Sequence, residues 1–369
     1  MTTDISQARA GNRFAFFSSI QALRGVAAML VVLYHLVDAE RIYGRGPMLL
    51  GGVARFGFVG VDVFFVISGF VMMTIASDRF GRSGEAGDFL IRRAVRILPL
   101  YWLYTTAVVV LLLIPHAVDA SYHAKSVWAS YLLWPQQAQP LLQVGWTLIY
   151  EAFFYLVVAG AIALVPAGSR VAFLACWATV LLCLQATEAY TPWFAVIRDP
   201  MGFEFIAGAF VSIFYSRLPV RAGSAALALG LLGAAVAVWC MNRVGLVDQD
   251  HLRRTLVFGS CAVLIVAGLT RRESAGMMGA HRWWHAIGDA SYSIYLSHLF
   301  VVTLMARFWG RSGLNGSVME HVGFILVVMA ASVCVGLVSY RLIERPMVTW
   351  LGQRLGRRKA RPMLAQSAV

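Results

Sequence analysis

Arg24 and His35 stand eleven residues apart in the apolar stretch IQALRGVAAMLVVLYHL. At about 100° per residue they return to nearly the same helix face, and at ~1.5 Å rise they are about 16 Å apart. One face thus carries a fixed cation near one end and a group able to take and give a proton near the other. Ionisable side chains inside a bilayer segment are costly and mark sites or pathways. Two plainer roles compete: a guanidinium can snorkel to headgroups, and an intramembrane His can simply hydrogen-bond between helices. Snorkelling alone gives no reason for a His on the same face.

Other residues gather around these two. Asp62 lies near the start of the second apolar window and Glu151 about one turn into the fourth. Threaded through a bilayer, His35, Asp62 and Glu151 share a layer. A carboxylate on one imidazole nitrogen fixes the tautomer and supports the charged form, which a general base needs. The alternative is a buried polar knot tying three helices together. In FLIRRAVRILPLYW, Arg92, Arg93 and Arg96 precede the third window, with Arg93 and Arg96 one turn apart on one face. Planar guanidinium forks suit phosphate, while positive-inside anchoring is the plainer role. Because Arg24 lies near the same end, up to four guanidinium groups are expected to face one phosphate-rich ligand. Arginines and imidazole are expected to share a single continuous tunnel.

Ser68 and Gly69 in FFVISGF form a small pair that permits close helix approach. Ser68 is not read as a nucleophile, since no G-x-S-x-G elbow surrounds it. In ASYSIYLSHLF, Ser291 is placed to cap a helix, Tyr295 to line a cavity, and His298 either to line it or to be a satisfied buried group. YRLIERP reads as a structural latch between Arg341 and Glu344, with Pro346 stopping the helix.

These residues need elements to hold them, and the composition says which kind. The chain has 369 residues, 59% hydrophobic and 13% charged, with a mean hydropathy of +0.71, outside the soluble globular norm. Spans are expected near 18–38, 57–77, 97–115, 146–165, 171–187, 201–216, 223–241, 255–270, 290–309 and 322–343. The expected fold is an all-α polytopic transmembrane helix bundle with about ten spans. Most Lys and Arg residues fall in the termini and the even-numbered loops, so both termini are expected in the cytoplasm. The net charge of +13 is thereby accounted for without a nucleic-acid partner.

Cys176, Cys183, Cys240, Cys261 and Cys334 have no C-x-x-C spacing. They are expected to be small core residues, with neither a disulfide framework nor a metal site. No cleavable signal peptide is expected, because the first apolar stretch carries Arg24 and His35. The chain divides into a cytoplasmic segment 1–17, a membrane domain 18–346 and a basic cytoplasmic tail 347–369, whose GRRKAR run would rest on anionic headgroups. The connection 115–145 is expected to cap the outer mouth of a cavity. Basic inner loops are expected over 77–96 and 271–289, the latter with His281, Trp283, Trp284 and His285, the two Trp forming part of an aromatic belt.

Taken together, LRGVAAMLVVLYH, GFVGVDVFFVISGF, FLIRRAVRILPLYW, VGWTLIYEAFFY, GDASYSIYLSHLF and the closing ERP resemble, in order, the motifs of the acyltransferase-3 family of integral membrane acyltransferases. The form is most similar to bacterial exopolysaccharide O-acetyltransferases, without the fused esterase-like domain of other relatives. The resemblance implies transfer of an acyl group, commonly acetyl from cytoplasmic acetyl-CoA, to a carbohydrate or glycolipid hydroxyl, in the bacterial inner membrane and with no bound cofactor. It places the family's first-helix arginine and histidine on Arg24 and His35 and its R-x-x-R pair on Arg93 and Arg96. Its W-(S/T)-L-x-x-E motif falls on Trp146 and Glu151, with Thr147 where Ser is frequent. Arg24, Arg92, Arg93 and Arg96 would bind the donor, and His35 would be general base or transient acyl carrier, oriented by Asp62 or Glu151. Ser68, Trp146, Tyr295 and His298 would line the cavity. A transporter or flippase of a lipid-linked glycan is the competing function, though no inverted repeat is evident.

Overall fold

The computed structural model describes residues 17–114, 122, 125–188, 190–244, 250–279 and 282–366, with side chains to Leu355. Nearly all of the N-terminal segment, His281 and the side chains of the GRRKAR run lie outside the described residues.

The regular elements of the described chain are all helical. Helix α1 is Ser18–Tyr43, and a 3-10 turn Val53–Phe58 leads into α2, Val59–Ala76. Then come α3 (Ser83–Leu112), the short α4 (Val127–Tyr131), α5 (Trp146–Leu164), α6 (Arg170–Leu184), α7 (Pro192–Arg198) and α8 (Met201–Phe214). Helix α9 is Val220–Val244; α10, His251–Arg254, runs through a π turn at Thr255–Gly259 into α11, Ser260–Ser274. A short α12 (Arg282–Asp289) precedes α13 (Ser291–Ser312), and α14 (Val318–Ser339) continues through a second π turn, Tyr340–Glu344, into α15 (Arg345–Gln366).

Each of the ten apolar windows lies on a helix, but among the described residues only 8 helices are long and apolar enough to cross a membrane. Helix α8 has 14 residues, below the length a bilayer requires. Helix α13 has the length, but its Ser, Tyr and His residues lower its hydropathy. It tolerates them because its polar first turns face other helices: Ser291, Ser293, Tyr295 and His298 are all buried.

Hydropathy does not rank helices by depth. The apolar window of α2 is 67% buried and that of α9 11%, since lipid tails and a protein core accept the same side chains. Helix α2 is central and crosses α8 at near backbone contact. A Cβ on Gly69 would stand 1.9 Å from the Phe205 carbonyl oxygen, and one on Gly208 2.0 Å from that of Val66. Glycine is therefore required on both sides, as expected of the Ser68–Gly69 pair.

Several local expectations are corrected. Helix α3 begins at Ser83, so Arg92, Arg93 and Arg96 lie on a continuous helix; arginine is a good helix former whose long stem packs on apolar neighbours. Pro346 does not end its helix. It sits in the first turn of α15, just after a π turn, where a missing N–H costs little. Glu344 is buried and accepts a hydrogen bond from Ser293 Oγ at 2.7 Å, while Arg341 is exposed. Cys176, Cys183, Cys240 and Cys334 are exposed and Cys261 half-buried, so these apolar positions face outward rather than into a core. Trp283 and Trp284 are exposed on α12.

Candidate functional site

A cavity of about 120 Å³ lies among α1, α2, α3, α5 and α13, and its polar lining includes Arg24, Arg93, Arg96, Ser68, Glu151 and Tyr155. The one-turn spacing on α3 brings Arg93 and Arg96 in together. Arg92 is exposed and does not line the cavity. Arg93 Nε is buried with no partner, a donor left open for an anion. Glu151 accepts from Ser68 Oγ at 3.2 Å and from the hydroxyl of Tyr155. Glu344 lies within electrostatic reach of Arg24 and Arg96. Three guanidinium groups against a single lining carboxylate leave an excess of positive charge, suited to a ligand carrying phosphate.

A second, wider cavity of about 620 Å³ is lined by His35 and Tyr34 of α1, Trp146 and Tyr150 of α5, the segment from Pro135 to Gln143, and His251 with Arg254 of α10. Its carboxamide-rich and aromatic wall offers many hydrogen bonds and flat apolar faces. The connection expected as a cap contributes Gln136, Gln137, Gln139 and Gln143; residues 115–121, 123 and 124 lie outside the described residues. The imidazole of His35 packs edge-on to Tyr34 and lies 5.2 Å, centroid to centroid, from that of His298.

Of the two roles open to His298, lining is not met: it is fully buried behind His35 and lines neither cavity. Its Nδ1 sits 2.7 Å from the Tyr295 carbonyl oxygen, so that nitrogen carries the proton and Nε2 is the acceptor. Nε2 is buried without a partner.

The two cavities share Val61 and Tyr295 as walls. Arg24 and His35, on one face of α1, line different cavities, so the expectation of a single continuous tunnel is not met: there are two chambers with wall residues in common. Tyr295 is pinned at the junction: its hydroxyl is 2.8 Å from Thr147 Oγ1 and 3.1 Å from the Val144 carbonyl oxygen. Its ring packs edge-on to Phe64.

Asp62 does not join His35. Its two carboxylate oxygens take the Arg254 Nε–H at 2.8 and 2.9 Å, and the residue has no exposed surface. Arg254 also donates to the Phe58 carbonyl oxygen at 3.0 Å and lies over the Phe58 ring. Depth alone suggested the pairing, but the side chain leaves α2 toward α10. Glu151 likewise lines the arginine cavity and not the imidazole one. Sequence reasoning missed Arg254, Tyr155, His251 and Asp199. Only Tyr155 had a local signal, its i+4 spacing from Glu151; the others are joined by tertiary contacts. Among the described residues no group of three or more His, Cys, Asp or Glu converges as a metal site.

The chain is a member of the acyltransferase-3 family: residues 17–341 match the family model described as an acyltransferase domain. It is 32% identical to the exopolysaccharide production protein ExoZ of Rhizobium meliloti over 305 residues, covering 79% of this chain and 90% of that one. It is 24% identical to nodulation protein 10 of Rhizobium leguminosarum over 79% of this chain and 82% of that one. Against the peptidoglycan O-acetyltransferase OatA of Listeria monocytogenes it is 23% identical over 90% of this chain, and spans 56% of that protein's length. No solved structure matches the chain. With bacterial relatives and eight apolar membrane-length helices, the protein is a multi-pass protein of the bacterial inner membrane.

Proposed function

We propose that this protein is an O-acyltransferase that moves an acetyl group from cytoplasmic acetyl-CoA to a hydroxyl of a surface or exopolysaccharide sugar, or of its lipid-linked precursor. The observation that carries this reading is the wall, Val61 and Tyr295, shared by a chamber with three arginines and a chamber with His35. The donor side would be the arginine chamber. At about 120 Å³ it is far smaller than an acyl-CoA, so only part of the donor enters, its thioester end directed at Tyr295. The phosphates, at the donor's other end, would meet Arg93 and Arg96, the neutral arm would pass Arg24, and Arg92 remains outside. The acceptor side would be the wide chamber, whose Gln and aromatic side chains match the hydroxyls and flat faces of a sugar. His35 then meets the acyl carbonyl, as base or transient acyl carrier, with His298 rather than a carboxylate beside it. The relatives named for exopolysaccharide production and peptidoglycan O-acetylation support the chemical class.

In this reading α13 and α8, the latter lengthened by the 3-10 turn Tyr215–Arg217 that continues it, complete ten spans, both termini are cytoplasmic, and the tail from residue 347 lies along the inner leaflet. The test is purified protein given labelled acetyl-CoA and de-esterified host glycan. Free CoA thiol and labelled glycan are expected together, and thiol release without label, or neither, contradicts the proposal. An Arg93→Ala, Arg96→Ala double variant should lose about 1.5–3 kcal/mol of acetyl-CoA binding per arginine, read by equilibrium binding, with membrane insertion intact.

A further inference from the structure

The wide chamber holds a second imidazole that the reading above does not use. His251 opens α10, and its Nδ1 lies 2.7 Å from Oδ2 of Asp199. The same oxygen accepts the Tyr150 hydroxyl at 2.9 Å, while Oδ1 accepts the Met201 backbone N–H at 2.9 Å. Both Asp199 oxygens act as acceptors, so Nδ1 of His251 carries the proton in their bond. Nε2 is then the nitrogen with the free lone pair. Asp199 is 9% exposed at its side chain against 32% for His251. The carboxylate is thus buried behind and the imidazole is open to the cavity it lines. Trp146 lies nearly parallel to that ring, at 22° and 6.4 Å between centroids.

His35 lacks such a partner. Among the described residues, the histidines paired with a carboxylate are His251 and His321, and His321 is buried against Glu40 and lines neither chamber. An imidazole oriented by a buried carboxylate, with its far nitrogen facing a chamber, is the arrangement that accepts a proton from a hydroxyl.

We propose that His251 is the catalytic base for the acceptor hydroxyl, with Asp199 as its positioning residue; this rests on the O-acyltransferase reading above. The hydroxyl O–H bond breaks and its proton goes to His251 Nε2 as the oxygen forms a bond to the acyl carbonyl carbon. The bond from that carbon to its leaving group breaks, and His251 returns the proton to the leaving group. One acyl-CoA and one hydroxyl thereby yield one ester and one free CoA thiol. His35 is left to meet the acyl carbonyl, and the two imidazoles have separate tasks.

The experiment compares wild type, His251→Gln and Asp199→Asn in nanodiscs, with labelled acetyl-CoA and de-esterified host glycan as probes. His251→Gln is expected to bind acetyl-CoA as wild type does and to label glycan about 10²-fold or more slower. Added imidazole, which fits the chamber, should restore part of that rate. Asp199→Asn is expected to slow labelling as well, with donor binding unchanged. Labelling by His251→Gln at the wild-type rate overturns the proposal. Loss of acetyl-CoA binding in both variants, or a slow rate that imidazole does not lift, makes the dyad structural and overturns it too. A wild-type protein that binds acetyl-CoA but labels no glycan defeats the O-acyltransferase reading itself, a result distinct from any variant's failure.

Discussion

His35 and Asp62 show how a residue's partner decides its task. His35 lines the wide chamber, with Tyr34 and His298 against its ring, and stands apart from the arginines. His35→Ala should therefore lower glycan labelling by about 10²-fold or more while acetyl-CoA binding stays near wild type, measured by turnover and equilibrium binding. Asp62 is held by Arg254 in a fully buried pair. Removing one member leaves an uncompensated charge inside the bundle, so Arg254→Ala should cost about 3–5 kcal/mol of stability. Thermal unfolding in detergent would register it. Replacing both residues by apolar ones of similar volume should recover much of that loss, which a role for Asp62 in orienting His35 does not predict. Arg24, Arg93 and Arg96 were legible as a set because helical spacing and proximity to one end of the membrane are local properties. The Asp62–Arg254 pair joins residues 192 apart in sequence, and no spacing rule reaches that far.

Helix α13 carries polar side chains into the bundle. Its polar side chains make it unlike a lipid-facing span, yet they place Ser291, Tyr292 and Tyr295 on the arginine chamber, and Tyr292 donates to the Ile97 carbonyl oxygen at 2.9 Å. The helix thus braces α3 and carries the partition between chambers. Tyr295 is held there by α5 through Thr147, the small hydroxylic residue after Trp146. Tyr295→Ala should open the partition, letting water reach the donor. CoA thiol release without acceptor is expected to rise several-fold while glycan labelling falls, both read from the same reaction. Should thiol release stay at the wild-type level, Tyr295 is not the partition. Tyr295 and Trp146 were legible as cavity residues; His298 was not, because periodicity gives a helix face but not what covers it.

At the scale of the molecule, apolar helices surround a polar axis in which two chambers meet. Basic residues concentrate at the termini and even-numbered loops of a ten-span reading, so the C-terminus is expected on the cytoplasmic side. A green fluorescent protein fused after Val369 should fluoresce and an alkaline phosphatase fused there should be inactive; the reverse would invert the threading and move the arginine chamber to the outer face. The tail helix gives this end its charge, with Arg354 lying 4.0 Å over the Trp350 ring at what would be the headgroup layer.

What the amino-acid order alone determined is the class: apolar runs long enough for a bilayer, the few ionisable residues inside them, and six motifs in a family's order. These are local or composition-level properties, set by the cost of exposing backbone and charge to lipid. Tertiary structure alone decided that the polar residues divide between two chambers, that Asp62 belongs to Arg254, and that Asp199 holds His251. The reason is that each depends on the direction in which a side chain leaves its helix and on which distant helix receives it. In a membrane both lipid and core accept the same apolar surface, so hydropathy cannot choose among neighbours; close backbone approach and buried hydrogen bonds do.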